Sequence, residues 1–182
     1  LSPLMTLLTW SAVLPVAIWH APVPSALVFV LALLGALWWL MPAGLPGRWM
    51  AIFLCLPLVL QRTELIPAGQ ARVDVLDVGQ GLAVVVRTRH HALLYDTGPY
   101  YSSTADAGDR VIVPYLRAIG LDRLDGLVVT HRDTDHSGGA LSVLESMPVG
   151  WVADAPDTHF ADLFPAVRTK ACVAGAAWAW DR

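Results

Sequence analysis

The chain has 182 residues, 55% of them apolar, with 12 basic and 15 acidic side chains and a formal net charge of -3 at pH 7. That length holds one ordinary domain plus an appendage, and so small a charge neither supports nor excludes a polyanionic substrate, because local patches and bound cations outweigh the total. The averages exclude a uniform globule: from Leu1 to Gln61 the only charged side chain is Arg48, whereas all 15 acids lie from Glu64 onward. A membrane segment over residues 1–62 is expected, then a linker over 63–72 containing "IPAGQ", then a soluble portion from 73 to 182.

In chain order, "PLMTLLTWSAVLPVAIWH" (Pro3 to His20) is apolar but carries Pro15, which suits a broken span, a re-entrant piece or an interfacial helix, with His20 as an interfacial residue. Val23 to Met41 has no charge over 19 residues, and as a helix it would reach about 28 Å, close to hydrocarbon thickness. Trp38 and Trp39 at its end suit an interfacial belt equally with plain apolar bulk. No basic region precedes it, so a secretory signal fits poorly. Trp49 to Leu60 would reach only about 18 Å and is a second span if extended through "AGLPGR" or set in a thinned bilayer. Arg48 between the two places that turn in the cytoplasm and sends the chain beyond Leu60 to the outer side.

Beyond the linker the period changes. "ARVDVLDVG", "LAVVVRT" and "HALLYDTG" alternate as three strands of an antiparallel meander. His90 and His91, beside Arg87 and Arg89, form a basic turn, read as a solvated tip or a phosphate contact. "YYSSTADAGD" is a polar loop of turn formers. "RVIVPYLRAIG" is helical, with regular helix expected only after Pro114 and a stop at Gly120. "LDGLVVT" is a fourth strand, "GGALSVLESM" a helix, "VGWVADA" another strand and "THFADLFPAV" a short helix. Cys55 and Cys172 match no zinc spacing and read as unpaired thiols. The opening Leu and the abrupt "WAWDR" suggest a piece of a longer protein.

The fourth strand runs into "THRDTDHSGG", where His131, Asp133, Asp135 and His136 fall within six residues. Four such side chains repel or compete unless a cation sits among them. At the end of an apolar strand, His131 and Asp133 can share one ion while Asp135 and His136 address a neighbour, and two ions roughly 3.5 to 4 Å apart suit hydrolytic chemistry. Gly138 and Gly139 would let the backbone turn sharply into the next helix without side chains blocking the site. The alternative is a solvated turn with a helix cap supplied by Asp135 or Ser137.

This stretch resembles the metal motif of the metallo-β-lactamase fold, with Asp133 where a second histidine is usual. "LDVGQG", "LLYDTGP", "DAGDRVIVPYLRAIG" and "CVAGAAWAWD", behind hydrophobic spans, resemble more specifically the carboxyl-terminal part of the ComEC family of inner-membrane proteins for DNA uptake in natural competence. The resemblance implies an α+β chain: an incomplete metallo-β-lactamase-like αββα domain behind transmembrane helices, on the extracytoplasmic side of the bacterial inner membrane. It implies a hydrolase that degrades the DNA strand not imported, with DNA, the membrane and other uptake components as partners. The cofactor implied is a pair of divalent ions, zinc or manganese, the harder donor at Asp133 admitting manganese. His131 and Asp133 would bind the first ion and Asp135 and His136 the second, with Asp135 also the catalytic residue to test. Asp96 would support the site from behind or serve only as a turn aspartate. Asp77, Gly79, Gln80 and Gly81 match the family hairpin without a ligand role, and Gly79 and Gly81 serve its turn. The family's remaining ligands would fall after Arg182. His159 is poorly spaced to replace them, so metal binding by this stretch alone should be weak and its catalysis doubtful. Two rivals remain: a channel component that guides DNA without cutting it, and a hydrolase of the same fold acting on a small ester or lactone.

Overall fold

The computed structural model describes residues 2–14, 21–42, 47–61, 65–155, 167–173 and 175. They fall into two units, Leu1–Arg62 and Thr63–Arg182.

In the first unit, uniformly apolar sequence forms short helices: α1 (Ser2–Val13), α2 (Ala26–Leu40) and, after a 3-10 turn at Arg48–Met50, α3 (Ala51–Val59). Ser25 caps α2 by accepting a hydrogen bond from the Val28 N–H. α3 approaches α2 closely because Gly35 has no side chain; a Cβ there would lie 2.8 Å from the Ala51 carbonyl oxygen and 2.9 Å from Cys55 Sγ. At the other end of α2, Arg48 Nε donates to the Trp39 carbonyl at 2.9 Å and the guanidinium lies over the Trp39 ring, a cation placed where the helix dipole favours one. The expected spans at 23–41 and 49–60 are thus shorter helices of 15 and 9 residues. Met41 is already extended, ending α2, and the 3-10 turn takes the first residues expected of α3. Among the described residues no helix is long and apolar enough to cross a membrane. His20 and Pro15 lie outside the described residues.

In the second unit, alternation builds the sheet. β1 (Arg72–Val75), β2 (Val84–Arg87) and β3 (Ala92–Tyr95) form the antiparallel meander. β3 then pairs parallel to β6 (Leu124–Val129), β6 to β7 (Val149–Asp154), and β7 to β8 (Arg168–Ala171), giving a six-stranded mixed sheet ordered β1-β2-β3-β6-β7-β8. Val85, Leu94, Leu127, Val129 and Val152 are buried together with Ile112, Leu116, Ala140 and Val143, so one face of the sheet carries the core beneath α4 (Val113–Ala118) and α6 (Ala140–Ser146). On the opposite face, Val73 and Val75 stand exposed and Val84, Val86 and Leu93 half-buried.

Two local expectations change. The polar stretch after Pro99 is a two-stranded hairpin, β4 (Tyr100–Ser102) and β5 (Ala105–Asp106), rather than a plain loop. Asp106 explains its closure: Oδ1 accepts from the Asp109 N–H at 2.9 Å and Oδ2 from the Ser142 hydroxyl at 2.6 Å. The helix beyond begins earlier than expected, with a π turn at Gly108–Ile112 running directly into α4. Pro114 sits in the first turn of α4. Gly120 takes a left-handed φ of 77° as the stop. The expected helix in 158–167 and His159 lie outside the described residues apart from Val167. Cys55 and Cys172 are free thiols.

Candidate metal centre

The site stands where β6 ends. β6 is apolar and buried up to Val129, and the chain then leaves the sheet through Thr130 to Asp133 into the short helix α5 (Thr134–Ser137). Asp133 occupies the N-cap position of α5, yet its side chain makes no capping hydrogen bond, and Ser137 Oγ donates backward to the Arg132 and Asp133 carbonyls. The carboxylates of the stretch are therefore not consumed in building the turn.

Two neighbouring segments grip this loop by its backbone. The Thr97 N–H and Oγ1 both donate to the His136 carbonyl, at 2.7 and 2.9 Å, and the Leu82 N–H donates to the Asp135 carbonyl at 3.1 Å. The Gly98 N–H ties those two segments together through the Leu82 carbonyl. The "DVGQG" and "YDTGP" stretches thus form a cradle for the loop. Glycines make the approach possible. A Cβ on Gly81 would lie 2.4 Å from the Asp135 carbonyl oxygen, one on Gly138 2.5 Å from Tyr100 N, and one on Gly139 2.4 Å from Gly108 N. Gly138 and Gly139 have ordinary right-handed backbones (φ -58° and -90°), so the turn needs no special conformation there and what the glycines supply is the expected freedom from side chains, as close packing. Gly81 likewise serves an approach rather than a turn. Gly79 does turn the chain, at φ 77°, with its N–H 3.3 Å from Asp77 Oδ1. Asp77 and Gln80 are exposed.

Asp96 lies beneath the loop, fully buried and with a left-handed φ of 57°. Its Oδ1 accepts from the Thr130 N–H at 2.8 Å, the Thr130 hydroxyl reaches both oxygens at 3.0 Å, and Oδ2 meets His136 Nδ1 at 2.8 Å. An ionised carboxylate only accepts, so the imidazole donates from Nδ1 and, when neutral, keeps its lone pair on Nε2. That is the arrangement a buried carboxylate imposes on a metal-binding histidine.

On the outer side the four selected side chains meet in pairs. His131 Nδ1 lies 3.4 Å from Asp133 Oδ2, and His136 Nε2 lies 3.6 Å from Asp135 Oδ2. The two imidazoles face one another with ring centroids 4.0 Å apart, so the pairs are adjacent. His131 Nδ1 is buried without a hydrogen-bond partner, and a buried acceptor or donor left so is costly. A cation relieves that cost, and mixed imidazole and carboxylate donors are of the kind that divalent ions take. Each pair supplies two donors where an ion takes four or more, and among the described residues no three His, Cys, Asp or Glu side chains converge on one point. The residues fit the ions in kind but only in part by number.

Reading the sequence left out Thr97 and Thr130, although both stand within quoted motifs, one directly after Asp96 and one opening the loop. Cys172, beyond β8, has its thiol pushed above the ordinary range by burial, then by the negative charges of Asp96 and Asp154.

The chain matches the model of the metallo-beta-lactamase superfamily over residues 76–174. It is 42% identical over 143 residues to "Competence protein ComA" of Neisseria gonorrhoeae, covering 79% of this chain and 20% of that protein. It is 35% identical over 130 residues to "Recombination protein 2" of Haemophilus influenzae, covering 71% of this chain and 16% of that protein. Against "ComE operon protein 3" of Bacillus subtilis, identity is 31% over 109 residues, covering 50% of this chain and 14% of that protein. The chain spans a fifth or less of each of these relatives.

Proposed function

We propose a metal-dependent phosphodiesterase of DNA uptake, starting from what the match over residues 76–174 establishes: the chain belongs to the metallo-beta-lactamase superfamily. The observation that carries the reading is the pair of adjacent donor sets, His131 with Asp133 and His136 with Asp135, at 3.4 and 3.6 Å. The names of the relatives, competence and recombination proteins, support DNA as the substrate class.

Divalent ions bound there would supply Lewis acidity toward a phosphate ester and offset the charge of its oxygens. The chain's own residues do the rest. Asp96 directs the imidazole of His136 outward through Nδ1, and Thr97 and Leu82 hold the carbonyls of His136 and Asp135 so that this pair does not drift. Asp135, about half exposed, is open to substrate and is the residue on which cleavage would depend. The exposed sheet face bearing Val73 and Val75 suits the second sheet of an αββα sandwich. The charge-poor residues 1–62, with large apolar side chains outward along α1, α2 and α3, support a location in the bacterial inner membrane, and Arg48 between α2 and α3 supports the metal loop on the outer side.

One observation favours a second reading, a component that guides DNA without cutting it: no three donors converge among the described residues. The experiment that separates the two is cleavage of single-stranded DNA by the full-length protein with and without a chelator. Asp135→Ala should abolish the chelator-sensitive cleavage, and unaltered cleavage would refute the assignment. Transformation retained by the same cleavage-dead variant would favour the guiding role.

A further inference from the structure

The basic turn between β2 and β3 closes over a cavity of about 400 Å³ lined by Arg87, Arg89, His90, His91, Arg123 and Asp125. It lies at the opposite end of the sheet from the metal loop. The Ala92 N–H at the start of β3 donates to Asp125 Oδ2 at 2.8 Å, near the start of β6, whereas the metal loop leaves the far end of β6. The strand separates them by roughly 17 Å at about 3.3 Å per residue.

Three arginines less one aspartate leave this lining two positive charges in excess with the histidines neutral. The carboxylate is already engaged. Asp125 Oδ2 takes the Ala92 N–H and lies 3.6 Å from His91 Nδ1, and Oδ1 lies 3.8 Å from Arg123. Arg87 is the unusual member. It is 4% exposed, and Asp74 Oδ2 holds its Nη2 at 3.3 Å. Burial alone would raise the pKa of Asp74, but hydrogen bonds from Arg72 and Tyr115 and the charges of Arg72 and Arg87 outweigh it and hold the carboxyl below its ordinary range. Even so, Arg87 Nε is buried with no hydrogen-bond partner. A guanidinium N–H left so is costly unless something accepts from it. Arg89 is exposed at the rim, with no ion pair among the described residues.

We propose that this cavity is an oxyanion site that takes a phosphate group, held by the Arg89 and Arg123 guanidiniums over the buried charge of Arg87. Forked guanidiniums match phosphate oxygens in pairs, and the cavity is larger than one phosphate needs, so the group can be part of a longer molecule. The phosphate belongs either to a nucleic-acid backbone or to a free phosphate or phosphomonoester. The site is separate from the metal loop and stands whether or not that loop hydrolyses DNA.

The test uses the whole chain in a chelator, which silences the metal loop, at low salt. Calorimetric titration with inorganic phosphate should show saturable binding, weakened at least tenfold by Arg123→Gln and by Arg89→Gln. Arg110→Gln, at an exposed arginine outside the cavity, should leave it unchanged. A short single-stranded oligonucleotide is then added as competitor. Displacement of phosphate identifies the backbone phosphodiester as the occupant, and lack of displacement identifies the free or monoester phosphate; either upholds the site. No saturable phosphate binding, or equal weakening by Arg110→Gln, overturns it.

Discussion

Asp96 shows how one residue can be both legible and half hidden. Its place before Thr97 and Gly98 permits a turn aspartate or a support for the metal loop. The structure gives it a left-handed backbone and a carboxylate that holds Thr130 and His136, so both descriptions apply to one side chain. Aspartate tolerates that backbone better than most residues. Asp96→Ala removes the acceptor for three partly buried donors while keeping a Cβ at positive φ, and should lower the unfolding free energy by about 2–3 kcal/mol in urea titration. Asp96→Gly, which relaxes the backbone but also lacks the carboxylate, should recover only a small part of that loss. Full recovery by glycine would show that backbone strain, rather than the hydrogen bonds, explains the effect. Thr130 escaped notice because a threonine ending a strand is ordinary; only the fold brings its N–H to a carboxylate 34 positions earlier.

At the scale of elements, alternation disclosed the three strands of the meander, and β6, β7 and α6 were legible as apolar segments between turn formers, β6 being almost continuously buried. β8 was not foreseen because "RTKA" alternates weakly and all four residues are exposed. The β4-β5 hairpin hid behind turn-forming residues whose pairing depends on Asp106 reaching Ser142 on a distant helix. The close packing of loops was equally invisible, since a glycine in sequence does not tell a turn from a contact. That distinction is testable. Gly139→Ala puts a Cβ 2.4 Å from both Gly108 N and the Thr97 carbonyl oxygen, which only backbone movement can relieve, at a cost of about 1–3 kcal/mol or more. Gly79→Ala meets no atom within 4 Å and suffers only its positive φ, about 1–2 kcal/mol. Thermal unfolding should therefore rank Gly139→Ala as the more damaging, with loosened metal-loop resonances in NMR spectra, and the reverse order would show that the loops yield easily.

At the scale of the whole molecule, the charge-poor stretch ends at Gln61 and the contacts divide the chain after Arg62. That stretch did not foretell helix lengths, because uniform apolarity carries no period to mark where a helix ends. The division has a physical consequence. The core from Val78 to Val152 is drawn entirely from the second unit, and a domain with its own core can fold alone. Among the described residues the exposed large apolar side chains belong mostly to the first, the kind of surface that marks a membrane or protein contact. A chain beginning at Thr63 should accordingly keep a cooperative unfolding transition in aqueous buffer, while the whole chain should need detergent or lipid to remain dispersed. Loss of the transition on removing residues 1–62 would mean that the sheet draws stability from the apolar segment. Equal dispersion of both chains without detergent would instead remove the support that this surface gives to a membrane location.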